Sequence, residues 1–245
     1  MGLLDVDRVS KRFGGVRAVQ DVSFTVADGE LVGIMGPNGS GKTTLFNLVA
    51  GALAPDSGAV RLRGERISGL PPHRVCARGV GRTFQLVRPF VGLTAFENVL
   101  VGRVYGVDRA PLGAAGADVE PLLKLVGLGG KGHLRGHQLT LIDRKRLELA
   151  RALATSPKLL LLDEFMAGLN PTETETAMTL IRRLQGEGVT LLMVEHIVWA
   201  LMDLSHRLIV LSAGEKIAEG TPSAVAADPA VVDVYLGTRE MSPRA

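Results

Sequence analysis

The chain has 245 residues, 46% hydrophobic and 22% charged, a balance that excludes a disordered or collagen-like polypeptide. Its 28 lysines and arginines against 25 acidic residues leave a net charge of +3. That excess is too slight to point to nucleic acid by itself, and it suits a protein that handles anions or sits near an acidic membrane surface.

In chain order, residues 1–8 carry neither a basic stretch nor a long apolar one, so no secretory signal is expected. Residues 6–13 and 18–26, separated by Gly14-Gly15 and followed by Asp28-Gly29, predict an antiparallel hairpin region beside a main sheet. The apolar runs 31–35, 159–162, 189–194 and 208–211 predict buried strands, although periodicity alone also admits buried helix. Each is far shorter than the roughly 20 residues a membrane-spanning helix needs. A helix is predicted over 42–50, closed by Gly51. Another is predicted over 173–185, opened by Asn170-Pro171-Thr172 and stopped by Gly186. The single cysteine, Cys76, excludes an intramolecular disulfide and a cysteine metal cluster and fits a reducing compartment. Residues 86–154, helical in period and broken by glycines, predict an inserted helical subdomain, and a tail helix is predicted over 222–237. Strand–helix alternation predicts an α/β fold with a mainly parallel sheet, within one domain spanning 1–245.

The strongest local signal is Gly36-Pro37-Asn38-Gly39-Ser40-Gly41-Lys42-Thr43, followed by Thr44. It matches G-x-x-x-x-G-K-[ST] at every fixed place, after an apolar strand and before an apolar helix, which predicts a P-loop NTPase core. Glycines let successive N–H groups point at one anion, and the helix start adds its positive dipole end. Lys42 reaches the β- and γ-phosphates of ATP, and the Thr43 hydroxyl ligates Mg²⁺. A plain glycine turn linking strand to helix is the competing reading.

Leu159-Leu160-Leu161-Leu162-Asp163-Glu164 supplies the carboxylates. Ligands bind at the C-terminal ends of strands in such sheets, so Asp163 is expected to hold Mg²⁺ and Glu164 to act as general base toward water. Two solvated acids at a strand end are the plain alternative. His133 and His137 are spaced i, i+4, yet the glycine-rich surroundings and missing third ligand favour a loop over a metal site. Arg144-Lys145-Arg146 reads as a solvated helix face.

Further runs have the right order and character: Gly81-Arg82-Thr83-Phe84-Gln85, Leu139-Thr140-Leu141-Ile142-Asp143 and the helix after it, Ala167-Gly168-Leu169-Asn170-Pro171, and Val194-Glu195-His196. Together they resemble the ATP-binding subunits of ABC transporters, over nearly the whole chain from 13 to 236. The resemblance implies that Gln85 contacts Mg²⁺ or the attacking water and senses membrane subunits. It implies that His196 contacts the γ-phosphate, and that Phe13 stacks on adenine unless it is simply core. It also implies that Thr140 contributes its hydroxyl to a γ-phosphate held by the opposite subunit. Lys11-Arg12-Phe13-Gly14-Gly15 and the tail Glu219-Gly220-Thr221-Pro222 to Tyr235-Leu236-Gly237 are similar to branched-chain amino acid importer ATPases, and a lipopolysaccharide-export ATPase shares the tail style.

The implied assembly is a dimer with an identical or paralogous ATPase subunit, on the cytoplasmic face of the membrane. Two permease subunits and an extracytoplasmic solute-binding protein complete it, with no nucleic acid. The stretch 86–100, with Phe90 and Phe96, forms either a groove for a permease helix or ordinary packing. A soluble ABC-type ATPase, a P-loop kinase and a low-turnover scaffold are the rival readings. Three departures from the family pattern stand out. Leu139–Asp143 replaces Leu-Ser-Gly-Gly-Gln, losing both glycines; Phe165 stands where proline is common; and Asn170 stands where aspartate is usual.

Overall fold

The computed structural model describes residues 2–85, 87, 89–108 and 111–240. Strands β1 (Leu4–Phe13) and β2 (Val16–Val26) pair antiparallel as the hairpin expected near the N-terminus. With β4 (Ser57–Leu62) and β5 (Glu65–Arg66) they form a four-stranded sheet of order β2-β1-β4-β5.

The second sheet holds β3 (Leu31–Met35), β6 (Val80–Arg82), β7 (Leu159–Asp163), β8 (Thr190–Val194), β9 (Arg207–Ser212) and β10 (Glu215–Gly220), in the order β10-β9-β3-β8-β7-β6. Every pairing is parallel except β9 with β10. All residues of β3, β7 and β8 are buried, which is why these strands read as unbroken apolar runs with no alternation. Register brings Ile34, Val194 and Asp163 into one row across β3, β8 and β7. The three chain segments leaving those strands therefore emerge side by side at one edge, where such sheets bind ligands.

Helix α1 (Lys42–Val49) follows β3, and Gly51, at φ 73°, ends it as expected. Helix α2 (Pro72–Ala77) precedes β6. Helices α3 (Ala95–Tyr105), α4 (Leu112–Ala115), α5 (Val119–Leu125) and α6 (Leu141–Ala154) lie between β6 and β7. Thr94 and Glu97 form a capping box that starts α3, and Thr140 caps α6; such caps each stabilise a helix start by about 1 kcal/mol. The inner side of α6 packs Leu147, Leu149, Ala150 and Ala154 into the same core as Leu160, Leu162 and Leu191.

Helix α7 (Pro171–Gly186) begins two residues earlier than its predicted start at Glu173. Asn170 is the cap, its side chain accepting from the Glu173 N–H, and Pro171 fits the first turn because its missing N–H has no partner to lose there. Helix α8 (Val198–Leu204) follows β8, and the tail forms two helices, α9 (Pro222–Ala226) and α10 (Pro229–Glu240). Among the described residues no helix is long and apolar enough to cross a membrane.

Candidate active site

The turn after β3 is shaped by close backbone approaches. Gly36 sits at φ 148°, and a Cβ there would lie 2.1 Å from the Leu211 carbonyl oxygen. At Gly41, φ 103°, a Cβ would meet the Ala18 carbonyl oxygen at 2.3 Å. Only glycine fits both places, so the turn is locked between β9 and β2. Gly41 is also the residue before α1, which has no side-chain cap there. The first N–H groups of a helix lack intrahelical partners and attract anions.

Lys42 is buried, and its Nζ donates to the carbonyl oxygens of Gly36 at 2.7 Å and Pro37 at 2.9 Å. Burial holds this ammonium below the ordinary lysine value, with Glu164 opposing the shift. Ser40 Oγ is buried without a hydrogen-bond partner among the described residues. An orphaned hydroxyl and an ammonium satisfied only by carbonyls, beside a helix N-terminus, form a donor set that suits a polyphosphate. The turn lines an open cavity of about 620 Å³, together with Thr43, Thr44, Gln85, Glu164, His196 and Arg17.

Glu164 stands one residue beyond β7 and is buried. Gln85 Nε2 donates to its Oε2 at 2.6 Å, and His196 Nε2 lies 2.8 Å from its Oε1. The fold thus brings two expected site residues, Gln85 and His196, onto the carboxylate of a third, Glu164, from three separate strand ends. Its backbone adopts φ 51°, the left-handed region that a non-glycine residue rarely occupies.

Asp163, also buried, accepts from Arg82 Nη2 at 2.7 Å. Arg82 Nη1 donates to Asn47 Oδ1 of α1 at 2.7 Å, and its guanidinium lies 5.1 Å from the Phe84 ring centroid. Asp163, Thr43 and Gln85, the residues expected to hold magnesium, carry oxygen atoms of the kind that ion takes. Among the described residues no three His, Cys, Asp or Glu side chains gather to hold a metal. That donor set fits magnesium, which keeps waters and substrate phosphates as most of its ligands.

Two expected site residues stand apart from this cluster. Phe13 is not core: it is 48% exposed at the tip of the β1–β2 hairpin, opposite Val16. Thr140, at the start of α6, does not line the cavity; its hydroxyl accepts from the Asp143 N–H at 3.3 Å, and Leu141 beside it is exposed. Asp143 is buried and ion-paired to Lys131 at 2.7 Å and Arg146 at 3.7 Å.

The expectation of a solvated face at 144–146 is overturned. Lys145 is only 4% exposed, and its Nζ donates to the Phe165 carbonyl oxygen at 3.0 Å. The helical period turns 145 inward with 148, 149 and 152, and the ammonium then reaches the carbonyls that follow Glu164. His137 lies in a short 3-10 turn, with Nδ1 3.0 Å from the Val91 carbonyl oxygen, as a loop histidine.

The sequence pattern assigned no role to Arg82, Asn47 or Glu195, and placed Lys145 on a solvated face. Arg82 and Glu195 each stand beside residues that the pattern did assign. Glu195 is buried, and its Oε1 accepts from the Met166 N–H at 2.8 Å. Burial pushes its carboxyl up to about 7.

Phe90 is exposed, whereas Phe96 packs against the core of α5 and α6. Phe84, Phe90, Val101, Tyr105 and Arg151 line an apolar groove of about 340 Å³. The 86–100 stretch is therefore divided between groove and packing; Leu86 and Arg88 lie outside the described residues.

Comparison with known proteins is consistent with this geometry. A family model described as ABC transporter matches residues 19–167, and one described as Branched-chain amino acid ATP-binding cassette transporter matches 215–240. The high-affinity branched-chain amino acid transport ATP-binding protein BraF of Pseudomonas aeruginosa is 38% identical over 250 residues, covering 96% of this chain and 98% of that protein. The lipopolysaccharide export system ATP-binding protein LptB of Haemophilus influenzae is 37% identical over 240 residues, covering 97% and 98%. Among solved structures, the ADP conformation of MJ1267, an ATP-binding cassette of an ABC transporter, aligns with TM-score 0.86 at 30% identity over 97% of this chain and 99% of that one. The dimeric structure of MJ0796, a bacterial ABC transporter cassette, aligns with TM-score 0.81 at 27% identity over 89% and 98%.

Proposed function

The chain belongs to the ABC transporter family as an ATP-binding, ATP-hydrolysing subunit, and from that premise we propose that its hydrolysis drives import of branched-chain or related amino acids. One observation carries the catalytic part: the Glu164 carboxylate is held between Gln85 and His196 beside the phosphate cradle. The match of residues 215–240 to the branched-chain amino acid cassette model supports import over export of lipopolysaccharide.

In this reading the 36–44 turn binds the triphosphate, with Lys42 exchanging its two carbonyl partners for phosphate oxygens. Glu164 accepts a proton from the water that attacks the γ-phosphorus, and Gln85 and His196 orient that water and the departing phosphate. Thr43, Asp163 and Gln85 would hold magnesium, which when bound neutralises charge on the β- and γ-oxygens. Arg82 keeps Asp163 Oδ2 engaged, so that carboxylate is held in one orientation. Phe13, exposed at the hairpin tip, supplies an adenine platform.

Thr140 does not line its own subunit's cavity, so its role requires a second copy or a paralogue that docks head to tail. Two shared nucleotides then close the dimer, and hydrolysis removes what both halves hold. The groove of Phe84, Phe90 and Tyr105 is an apolar, aromatic surface suited to a short helix of a permease subunit at the cytoplasmic face of the membrane. A solute-binding protein outside the membrane completes the importer.

The test is phosphate release from ATP by the purified chain with magnesium and no acceptor. Release that depends on Glu164 is expected. Transfer of phosphate only when an acceptor is added would point to a kinase and overturn the reading. Reconstitution with the permease and binding protein, with release stimulated by leucine or valine, tests the substrate class.

A further inference from the structure

The catalytic carboxylate hangs on a short, strained segment. Glu164 is in the left-handed region, and its N–H donates to the Val194 carbonyl oxygen at 2.9 Å. The next two peptide groups are gripped by two buried side chains from elsewhere in the fold. Lys145, one turn into α6, places Nζ 3.4 Å from the Glu164 carbonyl oxygen and 3.0 Å from that of Phe165. Glu195, just past β8, accepts from the Met166 N–H at 2.8 Å.

We propose that Lys145 and Glu195 are positioning residues which clamp the segment 164–166, fixing where the Glu164 carboxylate stands and tying it to the helix that begins at Thr140. This rests on the reading of Glu164 as general base. Both side chains are nearly inaccessible, at 4% and 3% exposure. Burying an ammonium and a carboxylate is costly unless each is matched by opposite charge and hydrogen bonds. Here Lys145 faces Glu195, Glu148 and the Glu164 carboxylate, and the lysine shift caused by burial is opposed by all three. A lysine kept in such a place, with its hydrogen atoms aimed at main-chain carbonyls next to a strained residue, holds backbone geometry. Its consequence is directional. Helix α6 covers a nucleotide in the partner's site, while Glu164 works in its own, so the clamp links the two sites through one subunit.

The test uses the full chain and Lys145→Met, which keeps length and apolar bulk but removes the donor. Nucleotide affinity by calorimetry and KM are expected to stay within about twofold of wild type while kcat falls by about a hundredfold, as for a small misplacement of a reacting group. Lys145→Arg, which restores the donor and charge, is expected to recover most of kcat. Single-turnover hydrolysis by Glu164→Gln is expected to be unchanged on adding Lys145→Met, because the two changes act through one group. If Lys145→Met does not fold, Lys145→Leu, which also removes the donor, and Glu195→Met, which removes the acceptor, carry the same split. Unchanged kcat in these variants, or parallel loss of affinity, kcat and melting temperature without rescue by arginine, overturns the proposal. If Glu164→Gln itself hydrolyses ATP normally, the reading of the base has failed instead.

Discussion

The phosphate cradle at 36–44 is built from backbone, whereas the helix start at 140–143 that would cover a partner's nucleotide is built from side chains. In the cradle, glycines at 36 and 41 are required by carbonyl oxygens little more than 2 Å from any added Cβ. Across the cover, both family glycines are absent, and Leu141 stands exposed at the first helical position. What orders the cover is Thr140 capping the Asp143 N–H, and Asp143 pinned by Lys131 and Arg146. An acidic side chain in the first turn also suits the helix dipole. A motif made of backbone leaves little room for substitution, while one made of caps and ion pairs can change composition and keep its shape.

That contrast is broken most severely in the cradle. Lys42→Ala removes an ammonium from it, and ATP affinity by calorimetry is expected to fall by about a hundredfold or more. Next comes the support beneath Asp163. Arg82→Met leaves Asp163 buried without its ion pair, and urea denaturation is expected to show a loss of about 3 to 5 kcal/mol.

The Glu195 carboxyl sharpens the account through pH. Its value is raised by burial from 4.5 to about 7, so the unfolded chain ionises first as pH rises. Wild-type stability is therefore expected to fall from about pH 4.5 to 7, by roughly 3 kcal/mol at most, and Glu195→Gln to flatten that fall in denaturation curves. Lys145, which faces this carboxyl and lowers the shift, should steepen the fall when changed to Met. The smallest effect belongs to the cover. Thr140→Val is expected to cost about 1 kcal/mol through the lost cap, leave ATP binding by the single subunit unchanged, and weaken nucleotide-driven dimerisation measured by sedimentation.

The same contrast explains what could be read from the residues alone. The cradle, Asp163-Glu164 and Val194-Glu195-His196 each follow an unbroken apolar strand, so their places at one sheet edge were legible. Strand β6 is only Val80–Arg82, too short to show a pattern, and the grip of Arg82 on Asp163 went unseen with it. Lys145 was misread because three consecutive basic residues look solvated, although the helical period carries the middle one inward. Glu148, one turn later and also buried, was the available sign, since two opposite charges on a core-facing stripe imply a partner there. The start of α7 was placed late because Pro171 was taken as a boundary and not as the first helical residue. Phe13 could not be assigned from type alone; its exposure follows from the hairpin tip.

The central claim is that a nucleotide held in one subunit's cradle is covered by another subunit's α6 start. Light scattering on Glu164→Gln with ATP and magnesium tests it most directly, because the triphosphate persists when the base is lost. The account predicts that the mass doubles on adding ATP and returns to that of a single chain when Lys42→Ala is added. A particle that stays a single chain at saturating ATP contradicts it.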